Sequence, residues 1–355
     1  MHTTYLKTYF PYKKRFLPAI RLVLILFLVG SSARAQDIHF SQFFEAPLLR
    51  NPSLAGIFLG DYRVQAVFHD QWNSFSNAYR TGSLNAEYRV PVGKGNDFLT
   101  TGLQFLYDKA GSAALSTTEV LPALNYHKSL SNDKTMYLSL GFMGGIVSKT
   151  IDLSKVTTNS QYNGTAYDPA LPNGETLITP SVTYWDGSLG MSFNSSFGQD
   201  QKNTMFVGAA VHHLNRPKNS FYKNPTIELD PKYVFSAGVK MIINDYTYFT
   251  LQADHSQQGS FQETVGGALY SYKLGDDPEN SAYTLHIGAF LRWKDALIPV
   301  LKLDMNALSV ALSYDVNVSE LKTVSQGRGG VELSISYIGF LDRESAKLRL
   351  LCPKF

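Results

Sequence analysis

Cysteine is nearly missing from this sequence: Cys352 stands alone among 355 residues. A single thiol excludes an internal disulfide framework and a thiolate metal site. Charge is scarce as well, at 17% against the quarter that is usual for soluble domains. No G-x-x-x-x-G-K-[ST] phosphate loop, G-x-S-x-G elbow or H-E-x-x-H helix motif occurs anywhere in the chain. Beyond residue 35 no stretch approaches 18 consecutive apolar residues, so no membrane-crossing helix is expected there. What the sequence has instead is aromatic side chains, with 21 Tyr and 22 Phe making up most of its 13%.

The formal charge of +3 is misleading. Residues 1–35 carry Lys7, Lys13, Lys14, Arg15, Arg21 and Arg34 and no acid, then an apolar run from Leu22 to Val29 and the small-residue ending Ser-Ser-Ala-Arg-Ala. That is the layout of a secretory signal peptide, and Ala33 and Ala35 form an A-x-A site that puts cleavage before Gln36. Without those six bases, 26 basic residues face 29 acidic ones. The remaining chain is mildly acidic and shows no nucleic-acid footprint.

An exported chain without apolar helices is either water-soluble or crosses a membrane as a closed barrel. Period-2 patterning favours the barrel. Leu84, Ala86, Tyr88 and Val90 alternate with Ser83, Asn85, Glu87 and Arg89. The same alternation recurs in Leu308–Asn317, in Val331–Tyr337 and in Tyr62–His69, where Val67 is the exception. Each such run has one apolar and one wet face. Strands are expected at 62–70, 79–90, 98–108, 117–128, 136–148, 180–194, 203–213, 231–241, 246–255, 260–272, 282–293, 297–304, 307–316 and 329–338. They number fourteen, and many approach the length of about 9–11 residues that a tilted strand needs to cross a bilayer.

The longest connections, 149–179 and 214–230, both follow odd-numbered strands, whereas 91–97, 129–134, 243–245 and 304–306 are short. Long outer loops and short periplasmic turns are the barrel arrangement. Tyr62, Tyr79, Tyr107, Tyr126, Tyr246, Tyr272, Trp293, Tyr314 and Tyr337 fall near strand ends, as aromatic girdles would. The fold class read from the sequence is therefore an all-β transmembrane antiparallel β-barrel of about 14 strands. Its organisation is a signal peptide (1–35), a lead-in (36–60), the barrel (61–339) and a periplasmic tail (340–355). Either the lead-in or the tail could plug a lumen this wide.

Catalytic constellations are weak. His212 and His213 are neighbours, which on a strand sends them to opposite faces, and the same holds for Asp254 and His255. Gly327–Gly330 and Gly144-Gly145 suit turns and strand starts, and Asp276-Asp277 beside Pro278 suits a solvated turn. The reading is of a non-enzyme with no cofactor and no metal.

Specific blocks then become recognisable. Gln36-Asp37-Ile38-His39-Phe40-Ser41-Gln42-Phe43-Phe44 is followed by Asn51-Pro52-Ser53-Leu54-Ala55-Gly56 and by Gln71-Trp72 with Tyr79 and Thr81. Tyr107-Asp108-Lys109-Ala110-Gly111, Tyr126-His127, Ser313–Ser319, Gly329–Ser334 and the Cys352-Pro353-Lys354-Phe355 ending come in order. Together they resemble the PorP/SprF family of Bacteroidetes outer-membrane proteins, along the whole exported chain. His69-Asp70 departs from that family's Arg-rich version.

The resemblance implies an outer-membrane component of the type IX secretion and gliding machinery. Its partners would be the lipid bilayer, exported cargo such as the sorting domains of surface adhesins, and periplasmic machinery subunits, with no nucleic acid. Gln71 and Trp72 are partner-binding candidates at an outer loop, and Phe43, Phe44, Asn51 and Pro52 are candidates in the lead-in. A small-solute porin or transporter is the alternative, needing an unplugged lumen. A soluble secreted β-protein is a third reading.

Overall fold

A computed structural model describes residues 37–71, 79–93, 96–133, 135–174, 179–198, 201–319 and 328–341. Residues 1–35 with their expected cleavage site, Trp72, and the tail from 342 lie outside the described residues. Fourteen antiparallel strands close on themselves. They are β1 (Tyr62–Gln71), β2 (Tyr79–Pro91), β3 (Phe98–Ala110), β4 (Leu115–Ser129), β5 (Met136–Thr150), β6 (Ser181–Phe197), β7 (Asn203–His212), β8 (Lys232–Ile242), β9 (Thr247–Gln258), β10 (Phe261–Leu274), β11 (Tyr283–Arg292), β12 (Ala296–Met305), β13 (Leu308–Asn317) and β14 (Arg328–Gly339). Every neighbour in sequence is a neighbour in the wall, and β1 pairs with β14 from Tyr62↔Gly339 to Gln71↔Gly330 to shut the ring. Closure leaves no strand edge within the bilayer, where an unpaired backbone group would cost several kcal/mol.

The barrel is inside-out relative to a soluble protein. On β2, Ser83, Asn85, Glu87 and Arg89 are buried, while Leu84, Tyr88 and Val90 are exposed. The expected girdle residues Tyr79, Tyr107, Tyr126, Tyr272, Trp293, Tyr314 and Tyr337 all face outward and exposed. Buried polar groups alternating with exposed apolar ones are what a lipid-facing wall around a polar interior requires.

One sector breaks the alternation. Val265, Leu269, Phe290, Ala296, Ile298 and Val300 put apolar groups inside β10–β12 as well as outside. In sequence this is the run Ala296-Leu297-Ile298-Pro299-Val300-Leu301, in which no polar residue alternates. A wall apolar on both faces has something apolar to cover within.

That cover is the lead-in. From Ile38 to Gly60 the chain runs through the lumen in short turns: Phe43–Glu45, Pro47–Arg50 and Pro52–Leu54. Proline begins two of them, where its missing N–H is no loss. Ser41 meets Glu332 and Asp315 near the end of the barrel that carries the long connections. Asp61 meets Gly339 at the opposite rim. The segment thus traverses the barrel from one mouth to the other.

Candidate functional site

The candidate site has two parts: the plugged lumen and the outer rim. In the lumen, the upper end of the lead-in is held by a carboxylate. Glu332 of β14, fully buried, accepts the backbone N–H groups of Ser41 (2.9 Å) and Gln42 (2.6 Å), and His69 Nδ1 lies 2.7 Å from the same group. Two successive amides on one carboxylate form an anion nest, here turned to fastening a peptide. Ser41 Oγ donates to Asp315 (2.7 Å) and accepts from Arg292 Nη2 (2.5 Å), while Gln42 donates to Ser313 Oγ and to the Glu332 carbonyl.

Below this latch, Phe43 packs edge-on to Phe290 at 5.3 Å and Phe44 stacks on the same ring at 5.0 Å. They cover the inner apolar sector of β10–β12. Glu45 accepts from Lys302 Nζ (2.5 Å) and from Gln65 (3.1 Å), joining β12 to β1 through the plug. Arg50 makes a two-pronged ion pair with Asp254 of β9 (2.7 and 2.5 Å) and donates to Gln252 (2.9 Å). Its guanidinium also lies over the rings of Phe43 (4.7 Å) and Phe206 (5.4 Å). Arginine's planar fork satisfies a carboxylate and stacks at once, which lysine cannot do.

The lower half is held by backbone contacts. Asn51 donates to the carbonyls of Met191 and Ala209, and its Oδ1 accepts Ser53 N–H. Asn125 of β4 donates to the carbonyls of Ser53 and Ala55. Gly56, at φ +83°, donates its N–H to Glu87 (2.6 Å), which also pairs with Arg63. Arg89 donates to the Phe58 and Gly60 carbonyls beside the rim. Wall glycines make room: a Cβ on Gly141 would lie 2.5 Å from Pro52 backbone, and one on Gly190 would strike Asn51 Oδ1.

The histidine pair differs from the sequence expectation. β7 ends at His212, and His213 takes a positive φ of 56°, so strict alternation stops between them. Both rings are buried against β6, His212 Nδ1 3.0 Å from Ser188 Oγ and His213 Nδ1 2.7 Å from Asp186. His212 Nε2 also lies 3.2 Å from the Arg50 carbonyl, so this pair supports the plug from the wall.

At the outer rim, the connections after β5 and β7 are joined by Thr179 N–H donating to the Phe221 carbonyl (3.2 Å). The first carries a small hairpin bridged at Tyr162 and Tyr167, the second one bridged at Lys218 and Glu228. Tyr162, Tyr167, Tyr222 and Ile227 are exposed on this pair of loops. Of the candidate contact residues, Gln71 ends β1 at this same mouth. Phe43, Asn51 and Pro52 are buried in the lumen and Phe44 is half-buried there, against the wall residues named above. Sequence reasoning did not single out Glu332 or Arg50, and took Asp254 only as the neighbour of His255. Their signal was a buried-face charge on strands or lead-in otherwise rich in Ser, Asn and Gln.

The profile of the family described as "Type IX secretion system membrane protein PorP/SprF" matches residues 32–337, nearly the whole chain. The chain belongs to the PorP/SprF family. Membership makes it an outer-membrane component of type IX secretion and indicates a structural or secretion protein rather than an enzyme. No curated protein matches the chain. Solved barrels similar to this PorP/SprF member include the translocator domain of the autotransporter NalP from Neisseria meningitidis, with 12% identity over 91% of this chain and 95% of that one, TM-score 0.41. The CymD monoaromatic hydrocarbon channel has 9% identity over 84% and 93%, TM-score 0.46, and the KdgM porin 5% over 78% and 98%, TM-score 0.35.

Proposed function

We propose that this barrel works as a protein-binding component of the type IX secretion and gliding machinery. It engages exported cargo, such as sorting domains of surface adhesins, at its long-loop rim (149–179 and 214–230). Periplasmic machinery subunits meet its short-turn end. Export begins with signal-peptide cleavage before Gln36, and the tail 340–355 faces the periplasm. Gln71 and Trp72 are the candidates that face a partner directly. Phe43, Phe44, Asn51 and Pro52 act through the plug they hold. No covalent chemistry and no cofactor enter this reading.

The observation that carries it is the occupied lumen. Residues 38–60 are bonded to β1, β2, β4, β6, β7, β9 and β12–β14 by side chain and backbone. A pore for solutes needs that space clear; a binding barrel does not. The test is an affinity purification of the full-length barrel from mildly solubilised outer membranes, with and without residues 153–174. Secretion-ring proteins or a large sorting-domain adhesin should co-purify, and the loop truncation should lose the adhesin. A barrel recovered alone overturns the reading, and an adhesin retained by the truncated barrel overturns its outer-loop part.

A further inference from the structure

The wall of the barrel has a step in it. A closed barrel must accumulate a fixed shear around its circumference, and spreading it evenly keeps the rim level. Here much of it falls at one seam. Pairing of β6 with β7 runs only from Phe197↔Asn203 to Leu189↔Val211, while β6 continues for eight more residues, Ser181–Ser188. Those eight stay paired with β5 on the other side, from Ser188↔Met143 to Ser181↔Thr150. The upper half of β6 is therefore an edge, longer than the stretch Phe261–Thr264 of β10 that pairs with β9 but not with β11.

Backbone direction along this edge can be read from the bonds that flank it. Ile151 N–H donates to the Pro180 carbonyl and Ser196 N–H to the Thr135 carbonyl, so even-numbered residues of β6 address β5. Odd-numbered residues address the open side. There Leu214 N–H takes the Gly187 carbonyl, and the Asn215 side chain stands where the next β7 residue would be. Its amide donates to the Trp185 carbonyl (2.7 Å) and accepts Gly187 N–H (3.2 Å). Further up, Phe221 O takes Thr179 N–H. Between Asn215 and Phe221, among the described residues, no hydrogen bond reaches the N–H or C=O of Thr183 or the N–H of Trp185. Thr183 and Trp185 are exposed, Trp185 at 65%.

This edge stands above the hydrocarbon. The nine residues Leu189–Phe197 that pair with β7 already match the roughly 9–11 needed to cross, and unpaired backbone groups are not tolerated within it. Ser181 N–H and C=O are met by the Thr179 hydroxyl, so the open groups are the N–H and C=O of Thr183 and the N–H of Trp185, donors and an acceptor that another extended backbone complements.

We propose that Ser181–Trp185 is a docking edge for an extended segment of a partner polypeptide, which adds as a short strand in the place a longer β7 would occupy. The segment spans about five residues. A residue of it lies beside Trp185 on the outer face, favouring an apolar or aromatic side chain there. This deepens the protein-binding reading above and rests on it.

Proline tests the edge without breaking the wall. At an edge position whose N–H points away from the sheet, proline is tolerated. Thr183→Pro removes the outward N–H together with the hydroxyl that donates to Ser148 Oγ, whereas Thr183→Val removes the hydroxyl and keeps the N–H. Both variants should keep the heat-resistant, compact migration of the folded barrel. In co-purification from outer membranes, Thr183→Pro should lower recovery of one partner at least about tenfold, with Thr183→Val near the parent level. Equal recovery with Thr183→Pro, or equal loss with Thr183→Val, overturns the edge while leaving the protein-binding reading standing. No partner for the parent barrel overturns both.

Amide hydrogen exchange over 181–186 gives an independent readout. The edge amides should exchange at least about tenfold more slowly in outer-membrane vesicles than in the full chain refolded alone into detergent. Fast exchange in both means that nothing docks. Slow exchange in both means that the chain's own 216–220 loop closes the edge, and either outcome overturns the proposal.

Discussion

Arg50 shows how a single residue fastens the plug. Its guanidinium is 7% exposed and bonded to Asp254 and Gln252, with two aromatic rings against its faces. Removing one partner of a buried pair strands the other charge, at a cost of about 3–5 kcal/mol. Asp254→Asn should lower the thermal midpoint of the purified barrel and expose 38–60 to protease before the strands yield. Equal protection of that segment in the variant would mean that the pair is not what holds it. Gly190→Ala asks the steric version of the question, because its new Cβ meets Asn51 Oδ1. Overpacking of this kind costs about 1–3 kcal/mol, and the loosening should show as faster amide exchange at Asn51 and Ser53.

At the opposite rim, Asp97 lies in the turn before β3 and accepts from Lys128 Nζ (2.8 Å), Tyr126 OH (2.6 Å) and Ser129 N–H (2.9 Å). Lys128 first, and Tyr126 next, hold its carboxyl down at about 2, against an ordinary 3.8. A depressed carboxyl contributes stability above its ordinary pKa and loses it as pH falls toward the folded value. Asp97→Asn should therefore lie below the parent in thermal midpoint by a constant margin from pH 7 to pH 5. That margin should close between about pH 4 and pH 2. A margin unchanged at pH 2.5 would assign the turn's stability to packing rather than to this charge.

Among the elements, strands were legible because each carries its own two-residue period. All fourteen observed strands overlap the runs expected from patterning, with ends moved by a few residues. β12 is instructive: Ala296–Leu301 has no alternation, yet it is a strand, because Phe43 and Phe44 cover its inner face. The plug itself was half legible. The lead-in and the tail were equal candidates, since nothing in either sequence says which wall residues await it. The decisive partners, Glu332, Asp254, Lys302 and Glu87, lie 31 to 290 residues from the lead-in residues they hold and come opposite them only once the ring closes. Register was not legible at all. The lengths of β6 and β7 are written in their patterning, but which residues face each other is set by closure, so the step at the β6–β7 seam appears only in the fold. His213 escaped for a local reason, as its positive φ ends the alternation that the sequence alone would continue.

For the whole molecule, the plug decides whether the barrel conducts. Fourteen strands enclose more space than their own inward side chains fill, since about eight strands already suffice for a side-chain-packed interior. Here the excess is taken up by residues 38–60, bound from Glu332 near one mouth to Arg89 near the other. The parent barrel in a planar lipid bilayer should thus be electrically quiet, without steady large openings. A chain lacking residues 38–59 should open, because the inner faces it leaves behind are rich in Ser, Asn, Gln and charged groups that hold water. Those same unpaired groups, Glu332 and Asp254 among them, could prevent the shortened chain from folding, so Asp254→Asn serves as the milder test with intermittent openings expected. Steady conductance from the parent would show that the lumen clears in a bilayer and would move the molecule toward the porin reading. Silence from both variants, with folding verified by heat-resistant migration, would show that the wall rather than the plug closes the path.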